Sequence, residues 1–248
     1  MRKRAGNAAP AGKGYFYGSS NTTLSDTQYE RLRDAIISMD MPPGTAISEK
    51  KIALEQGISR TPIREAIMRL HREKLVEVVA KSGTFVARIP VSALPEALIA
   101  RRALEGMTVK SAAKCAKRSH VLELYAVIER QREMAELGNI KGFHAADENF
   151  HELIARIGKL SGLWQLVQQV KLQVDRFRVL TLPEEGRMAM VVEEHTAIVD
   201  AINAGDEAMA CQKMEAHLSG LQHHFPHWIE QRPAYFIHDI DLDDMAQI

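Results

Sequence analysis

Four side chains that commonly bind metal ions occur at helical spacings in the second half of the chain. Asp147 and His151 are four residues apart in DENFHEL, which makes them neighbours on one face of a helix. His195 and His217 lie on either side of the Gly205–Asp206 turn, at a spacing that lets two antiparallel helices bring both rings to one level. One carboxylate and three imidazoles form a site of the kind that zinc, nickel or manganese accepts. A polar patch inside a helical bundle is the alternative that the spacing leaves open.

The stretch that must position these four side chains has helical periodicity from Leu94 to about Phe225 and almost no strand signal. The periodicity predicts six helices, near residues 95–117, 120–137, 140–158, 161–181, 184–204 and 206–225. Gly205 suits the position just after a helix, and Asp206 is a preferred cap for the next one. Short loops between such helices are typical of an antiparallel bundle, and we expect this all-helical domain to span residues 96–225.

The chain before this bundle combines helical and strand patterns. Three helices are predicted between Leu24 and about Lys74, with caps at Ser25 (in a capping box with Gln28), at Ser48, and at Ser59 or Thr61. After them, in LVEVVAKSGTFVARI, β-branched residues flank Lys81-Ser82-Gly83 and predict a hairpin with its turn at the Ser-Gly pair. We therefore expect a mainly α protein: a winged helix-turn-helix domain over residues 24–88 with a small β-hairpin wing, then the bundle.

The third of these helices has two different faces. Its apolar residues follow the three-and-four spacing of a buried stripe: Ile63, Ala66, Ile67 and Leu70. Arg60, Thr61 and Arg64 lie on the other side, where an arginine that enters the major groove can bind guanine O6 and N7. The hydroxyls of Ser59 and Thr61 suit phosphate oxygens, and Lys81 at the wing tip can follow the adjacent groove. A solvated helix with incidental arginines is the alternative.

The charge distribution agrees with a nucleic-acid partner for the first domain only. The whole chain has no net charge, with 32 basic and 32 acidic residues. Residues 1–88 contain 15 Lys and Arg against 9 Asp and Glu, whereas residues 89–248 contain 17 against 23. A basic N-terminal part joined to an acidic remainder predicts that only the first part meets a polyanion.

Composition also limits the compartment and the class of protein. The two cysteines, Cys115 and Cys211, are far apart and indicate neither a disulfide framework nor a thiolate metal site. The sequence has no secretory pattern and no apolar run long enough to cross a membrane, so we expect a cytoplasmic protein without a membrane partner. Three further segments are predicted: a disordered basic arm (residues 1–23), a linker (89–95) and a C-terminal extension (226–248), irregular beyond its turns, that packs through Trp228, Tyr235 and Phe236.

The first domain resembles a known family. The segment YERLRDAIISMDMPPGTAISEKKIALEQGISRTPIREAIMRLHREKLVEVVAKSGTFVARI is similar to the winged-helix domain of the GntR family of bacterial transcription regulators. The resemblance implies that Lys50, Arg60, Thr61 and Arg64 contact operator DNA and that Gly83 forms the wing turn. Position 50 departs from the family, which usually has arginine there, so a point charge replaces a bidentate fork.

The helical domain resembles the effector-binding domain of the FadR-like branch of the same family, through ARRALEG, DENFHEL, EEHTAIVDAINAGDEAM and MEAHL. The resemblance implies a divalent metal, zinc first and nickel or manganese next, on Asp147, His151, His195 and His217. It also implies a small organic acid as effector in the open positions of that metal. Arg101 could pair with the effector carboxylate or with Glu105, and Arg176 and Arg178 are further candidates for effector binding.

The residues and the resemblance together predict a metabolite-responsive regulator, not an enzyme, that represses transcription by binding a pseudo-palindromic operator as a homodimer. Two other functions compete with this one. A metal-dependent hydrolase or lyase could be fused to a DNA-binding domain, although no general base stands beside the ligands. The metal ion could also be the signal itself.

Overall fold

The computed structural model describes residues 23–241, and over this range the protein is mainly α-helical. The N-terminal part contains α1 (Leu24–Ile37), β1 (Ala46–Ile47), α2 (Glu49–Gln56), α3 (Arg60–Arg72), β2 (Val76–Val79) and β3 (Gly83–Val86). This is the expected arrangement of three helices and a wing. The basic arm, apart from Thr23, and residues 242–248 of the extension lie outside the described residues.

The helix starts confirm one of the predicted caps and correct another. Ser48 caps α2, because its Oγ accepts from Lys51 N at 3.2 Å. The capping box expected at Ser25 was wrong: α1 begins earlier, with Thr23 Oγ1 accepting from Asp26 N and Asp26 Oδ2 accepting from Thr23 N, each at 3.1 Å. The observed capping box therefore lies two residues before the predicted one and satisfies the backbone amides of Thr23 and Asp26.

The core of the DNA-binding domain lies where the apolar stripe of α3 predicted it. All four stripe residues, Ile63, Ala66, Ile67 and Leu70, are buried against α1 and the sheet. The sheet contains a strand, β1, that the sequence analysis missed. It pairs antiparallel with β3, so the strand order is β1-β3-β2. A strand of two residues is too short to produce an alternating pattern.

The bundle consists of α4 (Ala93–Cys115), α5 (Arg118–Glu136), α6 (Ile140–Ile157), α7 (Ser161–Val170), α8 (Leu172–Thr181), α9 (Arg187–Ala204) and α10 (Glu207–Gly220). The single helix predicted over 161–181 was wrong, since it is divided at Lys171. α7 buries only Trp164 and Val167, whereas nearly all of α8 is buried between the bundle and the DNA-binding domain. One straight helix could not lie in both places. Within the described range, none of the helices has the length and apolar character that crossing a membrane requires.

The segment expected to be a linker pairs with the C-terminal extension. β4 (Ile89–Pro90) pairs in parallel with β5 (Phe236–Ile237), after a 3₁₀ turn (Leu221–His224), α11 (Phe225–Gln231) and a second 3₁₀ turn (Pro233–Tyr235). Trp228 and Phe236 are buried with Phe177 of α8. The extension is therefore more regular than expected up to β5, and it lies against the chain that joins the two domains.

Asp239 connects this extension to the start of α4, where Ser92 N donates to Oδ1 at 3.0 Å and Ser92 Oγ to Oδ2 at 2.6 Å. A carboxylate that accepts from a backbone amide at a helix start contributes about 1 kcal/mol. We expect Asp239→Ala to lower the free energy of unfolding by about that amount, measured by urea denaturation, with Asp239→Asn losing less. Equal stability of Asp239→Ala and the wild type would mean that the extension does not hold the linker in solution.

Candidate functional site

The structure brings together the four predicted metal ligands. Asp147 and His151 come from α6, His195 from α9 and His217 from α10, and one ligand atom of each lies within 4.8 Å of the other three. All four side chains are buried. They meet because the i,i+4 pair faces the bundle axis and the α9–α10 hairpin, which turns at Gly205 (φ 69°), brings its two histidines to one level.

The three imidazoles are oriented with Nε2 towards the centre of the cluster. Two Nδ1 atoms are hydrogen-bonded to a side-chain oxygen: that of His195 to Gln131 Oε1 at 2.8 Å and that of His217 to Glu194 Oε2 at 2.7 Å. His151 Nδ1 lies 2.5 Å from Glu105 Oε2, but without hydrogen-bonding geometry. The Nε2 atoms of His195 and His217 are 3.2 Å apart, and that of His195 is 3.6 Å from Asp147 Oδ1. An outer oxygen that fixes one ring nitrogen and leaves the other for a cation is the usual environment of a metal-ligating histidine.

The electrostatics of the cluster favour neutral imidazoles. Burial lowers the pKa of His195 well below its ordinary value, and the neighbouring His217 lowers it further. Burial also lowers the pKa of His217 to about 4, against the opposing hydrogen bond with Glu194. Both rings are therefore neutral at pH 7, which is the form that coordinates a metal ion.

Arg178 of α8 reaches the same cluster. Both of its terminal nitrogens donate to Asp147, one to each carboxylate oxygen, so that the pair is a buried fork. Burial lowers the pKa of Arg178 to about 9, with further lowering from Arg101 and Arg187. A cation that coordinates Asp147 must therefore share this carboxylate with Arg178 or displace it.

The other two arginines predicted to bind effector differ in position. Arg101 forms a buried ion pair with Glu105, with Nε 2.6 Å from Oε1, and its Nη2 has no hydrogen-bond partner among the described residues. The structure does not bring Arg176 to the cluster. Its Nη2 donates to Ala87 O at 2.5 Å, because residues two apart on α8 point to different sides of the helix.

The predicted DNA-contact residues are exposed in the N-terminal domain. Ser59, Arg60, Thr61 and Arg64 are exposed at the start of α3, and Lys50 is exposed on α2. The wing tip is also exposed, but its turn is centred on residues 80 and 81 rather than on the Ser-Gly pair, since the closing hydrogen bond runs from Ser82 N to Val79 O. Lys81 lies at this tip with φ 63°, and Gly83 starts β3 with φ 132°, a value that favours glycine.

Two family models match the chain. The model described as "Bacterial regulatory proteins, gntR family" matches residues 24–86, and the FCD domain model matches residues 96–220. The chain belongs to the GntR family. It is accordingly a DNA-binding transcription regulator rather than an enzyme, and its second domain is an FCD domain.

Individual relatives agree with this membership. An HTH-type transcriptional regulator in an unstable DNA locus of Streptomyces ambofaciens is 34% identical over 78% of this chain and 81% of its own length. The HTH-type transcriptional repressor RspR of Escherichia coli K12 is 28% identical, over 81% of this chain and 90% of its own. Among solved structures, E. coli McbR/YncC has the same fold, with a TM-score of 0.73 at 20% identity, covering 83% of this chain and 98% of that one.

Sequence reasoning missed several residues that contact the four-residue cluster or the DNA-contact arginines of this GntR-family protein. Gln131, on α5, orients His195, and no motif in its own helix indicates this role. Glu194 was detectable, because it precedes His195 on the same helical hairpin that carries His217. On the DNA-binding side the missed residue is Glu49, whose carboxylate lies 2.8 Å from Arg60 Nη2 and 3.4 Å from Arg64 Nη2.

Glu49 partly neutralises the charge of the two arginines. Burial acts to raise the pKa of its carboxyl, but the hydrogen bonds from Arg60 and Arg64 outweigh this and lower the pKa, so the carboxylate stays ionised. We expect Glu49→Gln to raise affinity for DNA of any sequence about three- to tenfold at low salt, because the DNA-facing surface loses one negative charge. Fluorescence anisotropy with a random duplex at several salt concentrations measures this. Glu55→Gln, on the same helix but paired with Lys51 rather than with the arginines, is the matched control. An unchanged affinity of Glu49→Gln would show that Glu49 does not compete with DNA for the two arginines.

Proposed function

We propose that the protein is a metabolite-responsive repressor that binds a pseudo-palindromic operator as a homodimer. A divalent metal in the FCD domain, zinc first and nickel or manganese next, is held by Asp147, His151, His195 and His217 and binds a small organic acid. The observation that carries the proposal is the orientation of the three imidazoles, with Nδ1 beside an outer oxygen and Nε2 facing Asp147 or a neighbouring imidazole of the cluster. The relative RspR, which is named as a repressor, supports the sign of the regulation.

The DNA-contact residues proposed for this function are Lys50, Ser59, Arg60, Thr61, Arg64, Lys81 and Gly83. The two arginines on α3 are the candidates for reading bases, and the hydroxyl residues and Lys81 for contacting phosphates. In a dimer, two such helices about one DNA turn apart would match the two half-sites of a pseudo-palindrome.

The proposed acid would bind the metal through its carboxylate. Arg178 is the first candidate for its partner, because a metal on Asp147 competes for the carboxylate that Arg178 now holds. Arg101 is the second, because its unpartnered Nη2 is buried near Glu105 and His151. A released guanidinium beside a metal is a suitable partner for an organic carboxylate.

The contacts of α8 provide a route from the metal to the DNA-binding domain. Arg178 binds Asp147 in the FCD domain, Arg176 donates to Ala87 O in the chain before α4, and Gln173 Nε2 donates to Lys74 O, just after α3, at 3.3 Å. A shift of Arg178 on metal or effector binding would therefore move the helix that contacts the DNA-binding domain. Coupling of this kind typically changes the free energy of operator binding by about 1–3 kcal/mol when the effector is bound. Operator binding changes the free energy of effector binding by the same amount.

His217→Ala tests the proposal. We expect it to lose the metal and the response to organic acids, while its operator affinity without effector stays within about twofold of that of the metal-free wild type, since the hydrogen-bond partners of His217, Glu194 and His195, both belong to the FCD domain. The measurements are elemental analysis, and anisotropy with an operator selected from a random DNA library, with and without a panel of small carboxylates. Wild-type operator binding that no carboxylate alters, with the metal loaded, would contradict the effector part of the proposal.

A direct metal sensor is the second candidate, because metal binding to Asp147 by itself competes with Arg178 and so reaches α8. Titration of operator binding with zinc or nickel, without any organic acid, separates the two. A metal-dependent change as large as that caused by metal plus acid favours the sensor.

A further inference from the structure

A second cluster of ligating side chains lies between α6 and α8, away from the four residues above. His144 and Glu148 are four residues apart on α6, Asp175 comes from α8, and one ligand atom of each lies within 4.8 Å of the other two. The three residues line a cavity of about 590 Å³. The opposite wall of the cavity is α1 of the DNA-binding domain, through residues that include Asp34 and Ile37.

Three polar atoms in this cluster are buried without a hydrogen-bond partner in the part of the chain that the structure describes. They are His144 Nδ1, Glu148 Oε1 and Asp175 Oδ1. Asp175 is only 1% exposed. Buried polar atoms nearly always have a partner, so three unpaired ones, each from a different residue of the same cluster, indicate a group that binds there.

The remaining carboxylate oxygens are bound by Lys171. Its Nζ lies 2.5 Å from Glu148 Oε2 and also contacts Asp175 Oδ2, and the lysine is 1% exposed. The group formed by this one ammonium and two carboxylates has a net charge of −1 when both carboxylates are ionised.

We propose that His144, Glu148 and Asp175 hold a divalent cation. One imidazole and two carboxylates suit zinc, manganese or iron, with positions left for water in the cavity. Each carboxylate would bridge the ion and the Lys171 ammonium, with one oxygen for each. That ammonium repels a cation and therefore weakens binding at this site.

A cation bound by these three residues would connect α6 to α8, on the side of the cavity opposite α1. α8 is also anchored in the other domain, since Leu172 packs in the core of the DNA-binding domain. An ion here would therefore stiffen the contact between the domains. The inference does not depend on the proposed effector site, which shares none of its ligands.

The experiment counts zinc ions per chain in the full-length protein, by equilibrium dialysis of the metal-stripped form and elemental analysis. We expect two ions for the wild type, one for His144→Ala, one for His217→Ala and none for the double variant. His223→Ala, which removes an exposed histidine outside both clusters, is the control and should keep two. His144 Nδ1 has no hydrogen-bond partner among the described residues, and neither Lys171 ion pair involves His144, so its replacement leaves both ion pairs intact.

The outcomes separate this inference from the proposed function. If His144→Ala binds as many ions as the wild type, the second site is refuted. If one ion binds the wild type and is lost in His144→Ala but kept in His217→Ala, the second site stands and the proposed metal at the first site fails.

Lys171→Met provides an independent reading. Removal of the competing ammonium is expected to raise affinity for Mn²⁺ at the second site about tenfold, measured by the electron paramagnetic resonance of free Mn²⁺ in a His217→Ala background. Unchanged Mn²⁺ affinity in a folded Lys171→Met protein would contradict the proposal. If Lys171→Met does not fold, the count in His144→Ala decides.

Discussion

Asp147→Ala is expected to lower the free energy of unfolding of the metal-free protein by about 3–5 kcal/mol, the usual cost of leaving one partner of a buried ion pair alone. The carboxylate is fully buried, and Arg178, which is 5% exposed at its side chain, donates both terminal nitrogens to it. Without Asp147 this guanidinium would remain in the protein interior with no counter-charge within hydrogen-bonding distance. Urea denaturation followed by circular dichroism measures the change.

The matched control is the double variant Asp147→Ala with Arg178→Met, which removes both charges. It should recover most of the lost stability, because two uncharged side chains avoid the desolvation of an unpaired charge. It should still lose the metal, since Asp147 is one of the four proposed ligands. A cost below about 1 kcal/mol for Asp147→Ala alone would show that Arg178 finds water or another acceptor, and that the fork is not what holds α8 to α6.

The sequence was most informative where one face of an element is buried and the other is exposed. The stripe of α3 is such a case, and it located the core and the outward arginines of the DNA-binding domain together. Spacing paired Asp147 with His151 and His195 with His217, and the family resemblance joined the two pairs into one site. The structure brings all four together.

The sequence was least informative for α8. Nearly every residue of this helix is buried, so its pattern does not say which side faces the metal ligands. Arg176 and Arg178 were equivalent candidates on sequence grounds, yet only Arg178 reaches Asp147. The division at Lys171 was also not evident from the sequence, since Lys171 pairs with Glu148 on α6, which is 23 residues earlier in the chain.

Pairings between distant parts of the chain were also beyond local reasoning. β4 pairs with β5 nearly 150 residues later, as the Ser92–Asp239 hydrogen bonds with a separation of 147 residues illustrate. Strands of two residues have no period, and their partner is set by the packing of Phe236 beside Phe177.

Arg64→Ala is expected to weaken operator binding by about 1–3 kcal/mol, or roughly 5- to 150-fold, and to relax preference at one base pair. Arg64 is exposed on α3, one turn after its start, and only Glu49 competes for its guanidinium among the described residues. The measurement is anisotropy with the selected operator and with single-base variants of it, at two salt concentrations.

Arg72→Ala is the control, because Arg72 has the same charge on the same helix but lies at its far end, with Nε donating to Met68 O at 3.4 Å. It should change affinity for all sequences alike, if at all. A base contact by Arg64 changes discrimination between operators, whereas a phosphate contact changes only the salt dependence, by about one unit of slope. Normal operator affinity in Arg64→Ala would place base recognition elsewhere, and Arg60, the other arginine bound by Glu49, would be the next residue to replace. The comparison therefore tests whether the start of α3 reads bases or only positions the domain on the phosphate backbone.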